Sequence, residues 1–242
     1  MNESNYFKFS PSLLLVPLVA VLSIWSVFWV ELRFGVNLNH FGVYPRRLSG
    51  LMGVICSPFI HGSLEHLYNN TIPLAVLTLS LSYFYRKNAL RILVMGVLLS
   101  GFLTWLIGRP SYHIGASGLI YVLASFIFFK GVFTKYYRLI ALSLAIVFIY
   151  GSMLWYIFPI KDGISWEGHL AGFLVGLLLA KVVRTKTPVV KKYPWEKDDF
   201  NEEEDAFLKH FDEDGNFIER PEEADKEGIQ IIYDYKKSDK ED

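Results

Sequence analysis

Acidic residues are nearly missing from the first 193 positions of this 242-residue chain: Glu3, Glu31, Glu65, Asp162 and Glu167 stand against 17 Lys and Arg. That scarcity leaves few candidates for the acidic member of a catalytic triad. Cysteine is rarer still, and Cys56 alone excludes an intrachain disulfide framework and a Cys-rich metal site. The first apolar stretch has no small-residue cleavage site behind it and is about twice as long as a signal-peptide core, so it reads as a retained helix. No internal repeat is present.

What the chain has in excess is apolar surface. Hydrophobic residues make up 52% and aromatics 16%, with a mean hydropathy of +0.29, which is too oily for a soluble chain of this size. Six runs are long enough to cross a ~30 Å hydrocarbon core, for which roughly 20 helical residues suffice. They fall near 13–32, 65–85, 89–107, 115–133, 138–158 and 167–183. Lys8, Arg86, Lys87, Arg91, Lys130, Lys135, Arg138, Lys181, Arg184 and Lys186 fall on one side of these runs. Arg33, Arg46, Arg47, Arg109 and Lys161 fall on the other. The bias places both termini in the cytoplasm.

Two segments lie outside this pattern. The connection from Arg33 to Ile60 carries Phe41, Leu48, Leu51, Met52, Val54 and Ile55, which fits either a short amphipathic segment in the membrane interface or an ordinary external loop. From 193 onward the chain turns acidic, and residues 194–242 hold 19 acids against 7 bases. We expect a membrane domain over 1–192 and a largely disordered cytoplasmic tail over 193–242, with Ala206 to Phe211 as a helical turn and Ile229 to Tyr235 as a short strand. No partner of the tail is readable.

Polar side chains at membrane depth are costly, and three clusters carry them. His61, His66, Asn69 and Asn70 open the second run; Gly115, Ala116, Ser117 and Gly118 open the fourth; Gly168, His169, Gly172 and Gly176 open the sixth. Each alone has a bland explanation, as a small-residue packing surface or an interfacial histidine. Together they occupy the external ends of the outside-to-inside helices. Ser117 precedes Lys130 by 13 residues and His169 precedes Lys181 by 12. At ~1.5 Å per residue, both lie about 10 Å beneath the outer surface.

A serine hydroxyl needs a neighbouring base, and neutral histidine is the usual one. Ser117 and His169 therefore form a candidate dyad; of the acids only Glu65 and Glu167 lie near the clusters, both at helix ends, so a dyad fits better than a triad. His66 and Asn70, at i and i+4 on one helix face, can donate to an oxyanion together with the Ser117 amide. Tyr121, at i+4 from Ser117, either braces the imidazole or simply packs. Gly168, Gly172 and Gly176 form a smooth ridge on which the fourth helix, with Gly118, Ala124 and Ser125, can pack closely.

These residues resemble the rhomboid intramembrane serine proteases. The likeness rests on His61, His66 and Asn70 at their spacings, Gly115-x-Ser117-Gly118 with Tyr121 one turn on, and His169-Leu-Ala-Gly172, and it spans 13–183. It implies an all-α, six-transmembrane-helix bundle with Ser117 as nucleophile, His169 as base and His66 and Asn70 as oxyanion donors. His61 would be structural and Tyr121 the ring packed on the histidine. It also implies transmembrane protein substrates cut near their external ends, in a water-filled cavity closed by a mobile gate, with no cofactor or metal. Nothing points to nucleic acid, and the compact form suggests a bacterial cytoplasmic membrane. Two features depart from the family: the first loop offers Arg46 and Arg47 but no Trp to anchor it, and Glu167-Gly168 precede the histidine. The rival readings are an inactive rhomboid-like scaffold that binds membrane helices, and a small transporter using the buried His and Asn groups.

Overall fold

An apolar run in an apolar medium must pair its backbone groups within itself, and helices result. In the computed structural model, which describes residues 9–161, 163–185, 193–196 and 198–219, α1 spans Leu15–Phe34, α2 Leu64–Phe84, α3 Ala89–Ile107, α4 Ser117–Thr134, α5 Tyr137–Tyr150 and α6 Trp166–Val182. A 3-10 turn, Pro11–Leu14, leads into α1. Four helical stretches are long and apolar enough to cross a membrane: Pro11–Phe34, Ala89–Ile107, Ser117–Thr134 and Tyr137–Ile157. Their outer faces suit such a setting, with Leu144 64% and Phe148 93% exposed, since solvent-facing helices rarely carry such apolar surface. Among the described residues no strand forms; Val43 and His113 make one isolated antiparallel bridge.

The chain divides into two compact units, Met1–Val190 and Lys191–Asp242. In the first, the core gathers on α4, where Ile120, Val122, Leu123, Phe126 and Ile127 are buried together with Leu67, Leu74 and Leu77 of α2 and Val175 and Leu179 of α6. Ser125 Oγ donates to the Phe173 carbonyl at 2.7 Å, and Ser143 Oγ of α5 donates to the Phe128 carbonyl at 2.9 Å, so α4 is hydrogen-bonded to helices on two sides.

Several expectations need correction. The run at 138–158 is not one continuous α-helix: it is helical to Tyr150 and then tightens into a 3-10 segment, Gly151–Ile157. Carbonyls of that segment accept from side chains of α4 and α6. The fourth helix starts at Ser117, not 115, because Gly115 is left-handed (φ +106°) and Ala116 is the cap.

Lys130, expected among the cytoplasmic cations, is buried. Its ammonium donates to the carbonyls of Ala180 (3.0 Å) and Val183 (2.6 Å) at the C-terminal end of α6, where the helix dipole is negative.

The long first connection carries a short apolar helical stretch, Leu48–Phe59. Val54 packs on Gly101 of α3, while Leu48, Met52 and Ile55 point outward with exposures of 82%, 59% and 60%. These three, spaced four and then three residues apart, make one outward apolar stripe.

In the second unit, 3-10 turns occupy Pro194–Glu196, Glu202–Glu204 and Leu208–His210, the last within the expected helical turn. Phe211 and Phe217 bridge a tight loop in which Asp212 accepts from the backbone and side-chain amides of Asn216, and then from the Asp214 amide, which lowers its pKa. Lys8, Asp162, Lys186 and the stretch Ile229 to Tyr235 lie outside the described residues.

Candidate active site

Ser117 is the first residue of α4, and His169 sits in the first turn of α6. Small residues bring these helices together. A Cβ on Gly172 would overlap the Gly118 carbonyl and the Tyr121 Cβ, and one on Gly176 would overlap the Val122 carbonyl and Ser125. A Cβ on Gly168 would meet Ser165 and Thr104, while the Gly168 carbonyl lies 3.6 Å from where a Cβ on Gly118 would sit, so the ridge approaches α4 at all three glycines. At this separation Ser117 Oγ and His169 Nε2 stand 2.9 Å apart.

The partners of His169 assign its protons. Nδ1 lies 3.0 Å from the Tyr156 carbonyl, and a carbonyl can only accept, so Nδ1 carries the hydrogen. Nε2 then presents its lone pair, and the Ser117 hydroxyl donates to it. The Tyr156 carbonyl thus occupies the orienting place that a carboxylate fills in a triad. Tyr121 stacks on the imidazole with centroids 4.3 Å apart and planes 11° from parallel, and its hydroxyl donates to the Met153 carbonyl at 2.5 Å. Both carbonyls belong to the 3-10 segment after α5. Brace and packing, the two readings open for Tyr121, coincide in one contact.

The other candidates converge on Gly115. Its left-handed φ is one reason for glycine; the other is that a Cβ there would come 2.6 Å from His66 Nε2. The Asn70 amide lies close by, 3.8 Å from that same Cβ position. Asn70 is buried and spends one amide hydrogen on the His66 carbonyl at 2.9 Å, keeping the second. Asn69, one residue earlier, is exposed.

His61 lies behind His66, with ring centroids 5.0 Å apart; its Nδ1 donates to the Phe59 carbonyl. Burial, then the neighbouring His66, push its pKa down to about 4, so it is neutral at physiological pH. Behind Ser117 is a cavity of about 40 Å³ whose lining mixes Ser57, Ser100, Thr104, His113 and Ser165 with Val43, Val54 and Val97, large enough to admit water.

A model of the rhomboid domain matches residues 49–186. The chain belongs to the rhomboid family. Family members are generally intramembrane serine proteases, and some are inactive. Among bacterial relatives, uncharacterized proteins of Mycobacterium bovis and Mycobacterium tuberculosis are each 34% identical over 172 residues, covering 67% of this chain and 72% of theirs. An uncharacterized protein of Mycobacterium leprae is 31% identical over 153 residues, 60% of this chain and 61% of its own. The rhomboid domain and the apolar helices make this a membrane protein.

Several contacts of this rhomboid protein were not legible in its sequence. Its first loop is anchored by an Arg–Trp pairing whose tryptophan comes from α3. The Arg46 guanidinium donates to the carbonyls of Leu106 and Gly108, and Trp105 Nε1 donates to the Arg47 carbonyl at 2.8 Å. Arg46 takes a left-handed φ of +58° to do so, a conformation an arginine holds only when its surroundings demand it. The Tyr156 carbonyl carries no signal in residue type at all.

Proposed function

We propose that this rhomboid protein is an intramembrane serine endopeptidase that cleaves transmembrane protein substrates near the external membrane face through a Ser117–His169 dyad. The observation that carries the reading is the 2.9 Å contact between Ser117 Oγ and an His169 Nε2 left free to accept, because Nδ1 is committed to Tyr156.

Ser117 Oγ attacks the scissile carbonyl carbon while its proton passes to Nε2, and the resulting imidazolium keeps its Nδ1–H on the Tyr156 carbonyl. Negative charge gathers on the former carbonyl oxygen, beside the second Asn70 amide hydrogen, His66 and the Ser117 backbone N–H, which at a helix N-terminus has no intrahelical acceptor. Collapse breaks the C–N bond, and His169 returns the proton to the departing amine. Water then attacks the acyl-enzyme by the same route, releasing the acid and restoring Ser117.

Labelling of the purified, detergent-solubilised protein with a serine-reactive fluorophosphonate tests the assignment: adduct on Ser117 supports it, and no adduct on folded protein makes the chain one of the inactive members. The oxyanion roles have their own test. Asn70→Ala should lower kcat on the order of 10² to 10³, less where His66 and the Ser117 amide compensate. Asn69→Ala, on the exposed face, should stay within a few-fold. Equal losses in the two variants, measured with a model transmembrane substrate, would remove Asn70 from the site.

The same proposal has six membrane passes, both termini cytoplasmic and the acidic segment from 193 as a cytoplasmic tail. Cys56, half-buried in the first connection, reports the orientation. A membrane-impermeant maleimide should label it in intact cells, or in spheroplasts where an outer membrane intervenes. Reaction only after the cytoplasmic face is opened reverses the topology and puts the site on the other side.

A further inference from the structure

Ser117 and His169 come from segments that approach each other over loops, and those segments are pinned four residues upstream of each reacting side chain. His113 precedes Ser117 by four residues, and Ser165 precedes His169 by four. His113 Nδ1 and Ser165 Oγ are 2.6 Å apart.

The proton positions follow from the neighbours. His113 Nε2 faces the Arg109 carbonyl at 3.1 Å and must donate to it, so Nδ1 is an acceptor. Ser165 Oγ caps α6 by accepting from Gly168 N at 3.3 Å, which leaves its own hydrogen for His113. The serine that caps the helix bearing His169 is thereby bonded to the loop that delivers Ser117. His113 is 5% exposed, and burial holds its imidazole below the ordinary value, in keeping with the neutral form this pattern requires.

A second pair runs alongside. Glu167 is 2% exposed, and its Oε1 accepts from the Arg109 backbone N–H at 3.1 Å, with Arg109 Nε 3.7 Å away. Arg109 also donates through its guanidinium to the Ile164 carbonyl at 2.6 Å, so it spans the start of α6 from 164 to 167. Glu167 Oε2 is buried without a hydrogen-bond partner among the described residues. The proton-transfer chemistry above uses none of these four side chains.

We propose that His113–Ser165 and Arg109–Glu167 form a clamp of positioning residues that holds Ser117 and His169 at reacting distance. The inference rests on the protease reading of the same site. None of the four touches the reacting atoms; they act by fixing where α4 and α6 begin. A misplacement near 1 Å is enough to cost on the order of a hundredfold in rate.

The test is the kinetics of fluorophosphonate inactivation of the full chain in detergent, with the rate constant at saturation and the half-saturating concentration measured separately. Ser165→Ala and Glu167→Ala should lower the saturated rate constant tenfold to a hundredfold at an unchanged half-saturating concentration. Ser165→Thr, which keeps the hydroxyl, and Glu167→Gln, which keeps an acceptor for the Arg109 amide, should return it to within about threefold of wild type. Arg109→Gln, at a half-exposed position, keeps the main-chain bond and covers the case in which Glu167→Ala does not fold; it should show a smaller loss of the same kind. Wild-type rate constants in folded Ser165→Ala and in Arg109→Gln overturn the clamp, as does a loss that appears only in the half-saturating concentration or one that the conservative variants fail to restore. An unlabelled wild type is a different result: the protease reading then fails, and the clamp with it.

Discussion

Ser117→Ala should abolish fluorophosphonate labelling and substrate cleavage together, because it removes the one atom that becomes acylated. His169→Ala leaves the hydroxyl but takes away the acceptor 2.9 Å from it, and labelling should fall to near background. The two losses are expected to be of similar size and far from additive in the double variant, since nucleophile and base act as a unit. Other roles for these helices give other patterns. A scaffold that only binds membrane helices takes no label in the wild type, and a transporter tolerates Ser117→Ala as well as it tolerates Asn69→Ala. Either pattern, in protein that remains folded by its thermal transition, defeats the protease assignment.

Gly172→Leu is expected to have the next largest effect. A Cβ alone at this position collides with the Gly118 carbonyl, a backbone atom that cannot rotate out of the way, so the strain must be relieved by parting α4 from α6. Gly118 adjoins Ser117, and Gly172 lies one turn beyond His169, so the parting is applied close to both reacting groups. Overpacking of this kind costs about 1–3 kcal/mol in stability. A 1 Å displacement costs on the order of a hundredfold in rate. Activity should therefore collapse while much of the bundle still melts cooperatively. Gly172→Ala should show the same ordering in smaller measure. Full activity in Gly172→Leu would mean that the contact with Gly118 does not set the separation of the site.

How far the site could be read in advance follows from the kind of group involved. Ser117, His169, His66 and Asn70 stand out in the sequence as candidates because a polar side chain in an apolar run is expensive and contrasts with its neighbours. The common level of Ser117 and His169 was visible too, because helical rise turns residue counts into depth. Lys130 misled that count in part: it lies buried at the end of α6 rather than in a solvated connection, and a lysine that caps carbonyls reads in sequence like any other cation at a helix end.

The orienting partner of His169 was beyond reach. Tyr156 contributes only its carbonyl, which every residue has, and it does so because the chain leaves α-helical geometry after Tyr150. The clamp was hidden for a related reason. Arg109, His113, Ser165 and Glu167 lie in two short stretches separated by more than fifty positions, and no periodicity relates them. By itself the sequence determined the membrane setting, the helical class, the helix that carries each candidate and the family likeness, since all of these depend on local composition and a fixed rise per residue. The tertiary structure alone decided which backbone carbonyl faces which imidazole and how closely α4 approaches α6. Those depend on loop paths and on side-chain volumes meeting across helices, and neither is a property of a single segment.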